Sequence, residues 1–220
     1  MFSFGRKTLL AVVAVLMFFG LTINAEAKEI RVGYLVADQL HFPAIMVMKE
    51  RNMLEKEGYT VKWSEFLAGS YVMQEMASGS LDFVSCGAVP ISISHAQGVK
   101  INILASGNQE GSALVVGRDV NSIKDLEGKK IGTPGTGSIQ DAMVAQLLKD
   151  NNVNARRMSM KVSDMPLFLD KGEISAFVAW QPHCARAVAN NFGKILYTSH
   201  DMMPGHQCCV LAALQSTVKK

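Results

Sequence analysis

Gly79-Ser80-Leu81-Asp82-Phe83-Val84-Ser85-Cys86-Gly87-Ala88-Val89-Pro90 and Gly172-Glu173-Ile174-Ser175-Ala176-Phe177-Val178-Ala179-Trp180-Gln181-Pro182 are two passages of one design. In each, a glycine able to stop a helix gives way to a short apolar run, and a proline suited to the start of a helix follows. A serine stands nine residues ahead of each glycine, Ser70 before Gly79 and Ser163 before Gly172. Each serine is placed to cap an intervening helix. Further upstream, Arg31-Val32-Gly33 is echoed by Lys130-Ile131-Gly132. Matched features lie 92 to 99 residues apart, which predicts two lobes of similar build.

The surrounding pattern is α/β. Strands are predicted at Ile30 to Leu35, Thr60 to Leu67, Leu81 to Ser85, Ile101 to Ser106 and Ala113 to Val116, then at Lys130 to Gly132 and Met158 to Val162. Helical patterns alternate with them, from Pro43 to about Lys56, after Ser70, from Pro90 to Gly98 and from Ser138 to Lys149. That alternation is the mark of βαβ units and mainly parallel sheets flanked by helices. The polar segment Asp119 to Lys130 reads as the boundary between lobes, and a return passage falls near His200 to Cys209. The expected organisation is lobe 1 over 28–118, lobe 2 over 119–203 and an incomplete return segment over 204–220. Two crossings imply a hinge with a cleft between the lobes, where small ligands bind.

Residues 1–27 read as an export signal. Arg6 and Lys7 are followed by the apolar stretch Thr8 to Ile23 and by the small-x-small triplet Ala25-Glu26-Ala27, predicting a mature start at Lys28. The apolar run is shorter than the ~20 residues of a spanning helix. Of 220 residues, 49% are hydrophobic and 19% charged, enough apolar content for a buried core and too much for a disordered chain. A net charge of +3 gives no ground for expecting nucleic acid as a partner.

In open parallel sheets a ligand sits beyond the carboxyl ends of the strands, where helices present their N-termini. Five junctions qualify. They offer Gln39, His41 and Phe42, then Ser70 and Tyr71, then Gly87, Ala88 and Val89, then Thr136, Gly137 and Ser138, and finally Trp180 and Gln181. Backbone N–H groups and the helix dipole at such ends favour oxyanions. Each serine has ordinary capping as its bland role, and Trp180 and Tyr71 serve equally as core or as stacking surfaces. Gly132-Thr133-Pro134-Gly135-Thr136-Gly137-Ser138 has the look of a phosphate loop, but the lysine a nucleotide-binding loop needs is missing. Neither H-E-x-x-H nor G-x-S-x-G occurs, so no catalytic residue is assigned. Cys86, Cys184, Cys208 and Cys209 are expected as buried thiols or one disulfide ahead of a metal site with His183 and His206. No metal or cofactor is expected.

Taken in order, these pieces resemble a known family. Ile30-Arg31-Val32-Gly33-Tyr34, Gly69-Ser70, Leu81-Asp82-Phe83-Val84, Ile123 through Gly132, Ile174 through Pro182 and Pro204-Gly205-His206 are similar to the nitrate/sulfonate/taurine substrate-binding proteins of bacterial ABC importers, relatives of thiamine-precursor-binding proteins. The resemblance covers essentially all of 28–212. It implies a type II periplasmic binding fold closing on a small oxyanion-bearing solute in the periplasm and passing it to a membrane permease and its ATPase. It also implies ligand contacts from the five junctions. Family members continue beyond the second crossing, whereas this sequence stops at Lys220, so a first lobe without its closing helices is expected. Two other readings compete: an exported Cys/His metal or redox protein, and a ligand-sensing domain on the same fold.

Overall fold

The computed structural model describes residues 28–37 and 42–219. The predicted signal over 1–27, and Gln39 and His41, lie outside the described residues.

The first sheet has the order β2-β1-β3-β10-β4, from β1 (Glu29–Leu35), β2 (Thr60–Phe66), β3 (Phe83–Gly87), β4 (Ile101–Gln109) and β10 (Gln207–Leu214). The second has the order β7-β6-β8-β5-β9, from β5 (Ser112–Val116), β6 (Lys130–Thr133), β7 (Arg156–Ser159), β8 (Ala176–Trp180) and β9 (Lys194–Thr198). The two orders are the same pattern. In each, a central strand is parallel to its two neighbours, and the strand next beyond pairs antiparallel on both sides. That antiparallel strand is the one delivered from the other sheet: β5 follows β4, and β10 follows β9. The 92-to-99-residue echo is therefore a repeat of topology as well as of sequence.

One boundary moves. The sequence placed Ala113 to Val116 in the first lobe, but this strand pairs with β8 and β9 in the second sheet, so the first crossing is at Glu110-Gly111 rather than near Asp119. A fully buried strand reads the same from either sheet, because its partners are far away in sequence. The helix predicted from Pro43 to Lys56 is two, α1 (Pro43–Glu50) and α2 (Met53–Lys56), broken where Asn52 adopts φ +48°. In α3 (Gly69–Ala77) the N-cap is Ala68, so Ser70 falls in the first turn instead of capping. Pro90 sits in the first turn of α4 (Ala88–Ala96). Ser138 does cap α5 (Ile139–Asp150), accepting the Asp141 N–H at 3.1 Å. Ser163 hydrogen-bonds Asp164, and α6 (Met165–Asp170) begins one residue later.

Each lobe has its own core. Val72, Met76, Leu81 and Val84 pack with Val210 in the first lobe, and Phe177, Met165 and Leu169 pack with Val115-side neighbours of β8 in the second. All five residues of β8 are buried, as a central strand covered on both faces requires.

The two crossings are clasped together. Glu110 accepts the Gly205 N–H at 2.7 Å and pairs with His200 Nδ1 at 2.8 Å. His200 belongs to α8 (Ser199–Met202), at the second crossing. The Gly205 N–H and His200 hold the Glu110 carboxyl below its ordinary value, and Glu110 raises the His200 imidazole. A raised histidine contributes stability below its unfolded pKa and loses it as pH climbs through the folded value. A lowered glutamate contributes above its unfolded pKa and loses it in acid. The clasp is thus strongest between about pH 4.5 and 6.5, and weakens as pH rises through the raised His200 value. Exposure of the pair makes the effect small. The melting-temperature gap between the protein and His200→Gln should be widest near pH 6 and close by pH 8.5. A constant gap across that range would mean the imidazole charge plays no part.

Candidate functional site

A pocket of about 490 Å³, its open mouth included, lies where the carboxyl ends of the two sheets meet. Leu35 at the end of β1, Ala68, Gly69 and Ser70 at the start of α3, and Gly87 and Pro90 around the start of α4 form one wall. Pro134, Gly135, Thr136, Ser138, Ile139 and Gln140 around the start of α5 form the other, with Trp180 from β8 and Cys208 and Cys209 from β10.

Local conformation explains the residue choices. A side chain at Gly69 would put its Cβ 2.6 Å from Pro90 Cγ, so only glycine lets the two helix starts approach. Gly135 and Gly137 take φ of +139° and +85°, which bends the loop after β6 so that α5 points its first turn at the pocket. Three helix N-termini thus surround one cavity, each with first-turn N–H groups that no helical carbonyl reaches. The Ser70 and Thr136 hydroxyls make no hydrogen bond to any described residue and remain available to a ligand. The Ser138 hydroxyl is engaged by its helix and keeps only its own proton to donate.

No Asp, Glu, Lys, Arg or His side chain is among the described residues lining this pocket. Recognition there depends on neutral donors, helix dipoles and apolar surface. Without a carboxylate in the wall, the arrangement suits an anion better than a cation.

Of the sequence-derived site residues, the structure brings Ser70, Gly87, Thr136, Ser138 and Trp180 to this wall. Gly137 lines an adjoining cleft with Ser70, Thr136 and Ile93. The others point elsewhere. Phe42 lines a separate small cavity with Tyr34 and Ile45. Tyr71 is largely exposed, Ala88 packs on the first-lobe core and Val89 packs beside Ile139 and Met143. Gln181 turns back to accept the Ala185 N–H at 2.9 Å, serving its own helix, α7 (His183–Ala189).

Trp180 packs in the core and also borders the pocket. It is 5% exposed. Its indole N–H donates to the Ala37 carbonyl at 3.0 Å, a bond from the second sheet to the end of β1 in the first.

Gln140 was not singled out in the sequence. It is 3% exposed, lines the pocket and donates through Nε2 to Ser112 Oγ at 2.9 Å. The Ser112 N–H donates in turn to Ser199 Oγ at 3.1 Å. Ser112 opens β5 and Ser199 opens α8, so this chain of bonds runs from the pocket to both crossings. The one available signal was its place in the first turn of a helix already assigned to the site.

The four cysteines are buried thiols outside any disulfide. Burial pushes Cys184 up to about 12, which leaves it unreactive at neutral pH.

The NMT1-like family model matches residues 24–220. The taurine-binding periplasmic protein of Escherichia coli (strain K12) is 26% identical over 203 residues, covering 90% of this chain and 60% of that protein. Among solved structures, the alkanesulfonate-binding protein SsuA from Xanthomonas axonopodis pv. citri bound to MOPS superposes with a TM-score of 0.74 at 17% identity, over 89% of this chain and 68% of that one. The periplasmic nitrate-binding protein NrtA from Synechocystis PCC 6803 superposes with a TM-score of 0.72 at 15% identity, over 88% of this chain and 57% of that one. The fold is thus that of these two-lobed periplasmic binding proteins. The chain spans about 60% of the length of the taurine-binding relative.

Proposed function

Since the chain belongs to the NMT1-like family, we propose that it is an extracytoplasmic solute-binding protein, holding a small organic oxyanion of the sulfonate class between its two sheets. The observation that carries this reading is the meeting of three helix N-termini and two unengaged hydroxyls, Ser70 and Thr136, on a cavity without a carboxylate in its described wall. Such N–H groups and dipoles fit a sulfonate head, while Leu35, Pro90 and Trp180 offer apolar contact to its organic part. The relatives named above bind taurine, an alkanesulfonate buffer and nitrate, which narrows the class in the same direction. An extracytoplasmic location is supported by the signal-like pattern of residues 1–27. Delivery to a membrane permease and its ATPase is the matching role, with the two crossings as the hinge on which the lobes close.

The Gln140–Ser112–Ser199 chain gives this closure a route. A ligand that engages the Gln140 carboxamide acts on a side chain already bonded to the first strand past the hinge.

A thermal-shift panel of taurine, longer alkanesulfonates, nitrate and uncharged isosteres tests the reading. A ligand at about 100 times its Kd adds about 2.7 kcal/mol, several degrees for a chain of this size. Stabilisation by one or more of the anions, and by none of the isosteres, is the expected result. Equal shifts from isosteres, or none from any anion, would overturn it.

A further inference from the structure

The pocket continues beyond the helix starts. A second cleft of about 640 Å³, its open mouth included, shares Ser70, Pro90 and Thr136 with it and leads away along the first lobe. On α3 this cleft is lined by Ser70, Met73, Gln74 and Ala77. On α4 it is lined by Pro90, Ile93, Ser94 and Gln97. Both sets have the spacing i, i+3, i+4, i+7, which is one face of a helix followed from its first turn to its end. The two faces are the walls of a groove between α3 and α4, and both helices begin at the pocket. Seven residue steps at about 1.5 Å each give the groove a length of about 10 Å.

Its chemistry changes along that length. At the near end are Ser70 and Thr136, the hydroxyls proposed above for the anionic head. Next come Met73 and Pro90, both buried, with Ile93 standing 42% exposed beside them. Further along, the side chains of Gln74, Ser94 and Gln97 make no hydrogen bond to any described residue. Ser94 is 8% exposed, so its hydroxyl has little access to water outside the groove. No Asp, Glu, Lys, Arg or His side chain is among the described residues lining the cleft. The sequence of surfaces is thus hydroxyl donors at a helix start, then an apolar stretch, then neutral groups able to donate and accept.

We infer that this groove is a tail subsite, and that the ligand is an elongated sulfonate with a neutral hydrogen-bonding group, a hydroxyl or a carboxamide, at its far end. The inference rests on the anion reading given above and narrows it. The alkyl part lies along Met73, Pro90 and Ile93, and the terminal group replaces water between Gln74, Ser94 and Gln97. A two-carbon sulfonate such as taurine fills the pocket and leaves the groove empty. Ile93, Gln74 and Gln97 then determine specificity, because they meet only the tail.

Calorimetric titration of the whole protein with ethanesulfonate, hexanesulfonate and ω-hydroxyhexanesulfonate tests this. Hexanesulfonate should bind at least tenfold more tightly than ethanesulfonate, since each buried methylene contributes several-fold in affinity. The ω-hydroxyl should add about fivefold more. Ile93→Gln should remove most of the gain from chain length and leave ethanesulfonate affinity within about twofold. Gln74→Ala combined with Gln97→Ala, both at exposed positions, should remove the gain from the hydroxyl and leave hexanesulfonate unchanged. Equal binding of the short and long sulfonates would overturn the tail subsite and leave the anion reading standing. A length gain that survives Ile93→Gln, or a hydroxyl gain that is absent or survives the double variant, would also overturn it. Silence toward all three sulfonates would remove the anion reading, and the tail subsite with it.

Discussion

Trp180→Ala should lower unfolding stability by about 3–5 kcal/mol, the range for emptying an aromatic from a packed core. The indole is 5% exposed among Ala113, Cys184 and Ala187, and its ring meets His183 edge-on at 6.3 Å. The substitution also leaves the Ala37 carbonyl without its 3.0 Å donor, which uncouples the end of β1 from the second sheet. Trp180→Phe separates the two losses. It keeps most of the packing and removes the bond, so it should cost nearer 1–3 kcal/mol. Urea denaturation midpoints of the two variants measure this directly. Near-wild-type midpoints for Trp180→Ala would mean the side chain is not packed as described.

Ser70→Ala combined with Thr136→Ala should have the opposite profile, a large loss of affinity with little change in stability. Hydrogen bonds to a charged group contribute about 1.5–3 kcal/mol each, so each hydroxyl is worth roughly ten- to a hundredfold in Kd. Neither hydroxyl bonds to the described protein, so melting of the unliganded variant should stay within about 0.5 kcal/mol of the original. Ser138→Ala makes an informative contrast, because its oxygen caps α5 at 3.1 Å and its loss should cost about 1 kcal/mol of stability. Calorimetric titration with an alkanesulfonate reads the affinities. An unchanged Kd in the double variant would place the anion somewhere other than between α3 and α5.

The pattern of what could be read from the chain follows from the range of the forces involved. Glycine stops, apolar runs and prolines at helix starts act over a few residues, and so the repeat at Gly79 and Gly172 announced two similar lobes. The lobe to which Ala113–Val116 belongs depends on partners 60 or more residues away, at Ala176 to Trp180 and Lys194 to Thr198, and its own sequence is silent on that. The left-handed turn at Asn52 was missed because asparagine is only one of several residues that tolerate it. At the site, position relative to a helix start picked out Ser70, Thr136 and Ser138, which line the pocket wall. It also nominated Tyr71, Ala88, Val89 and Gln181, whose direction is set by the rotation of each helix about its axis, a tertiary property. The irregular register at Gln207 to Val210 arises from pairing with β4, about 100 residues earlier, and left no local trace.

Trp63 and Trp180 are the chain's two tryptophans, and Trp63 lies on β2, against Tyr34 at 6.2 Å and away from the pocket wall. Tryptophan emission of the Trp63→Phe variant therefore reports Trp180 alone. Titration with an alkanesulfonate should produce a saturable change in that emission, with a midpoint matching the calorimetric Kd and absent from the Ser70→Ala, Thr136→Ala form at the same concentrations. Binding by calorimetry with no change in Trp180 emission would contradict the account, because it would put the ligand outside the cavity between the two sheets.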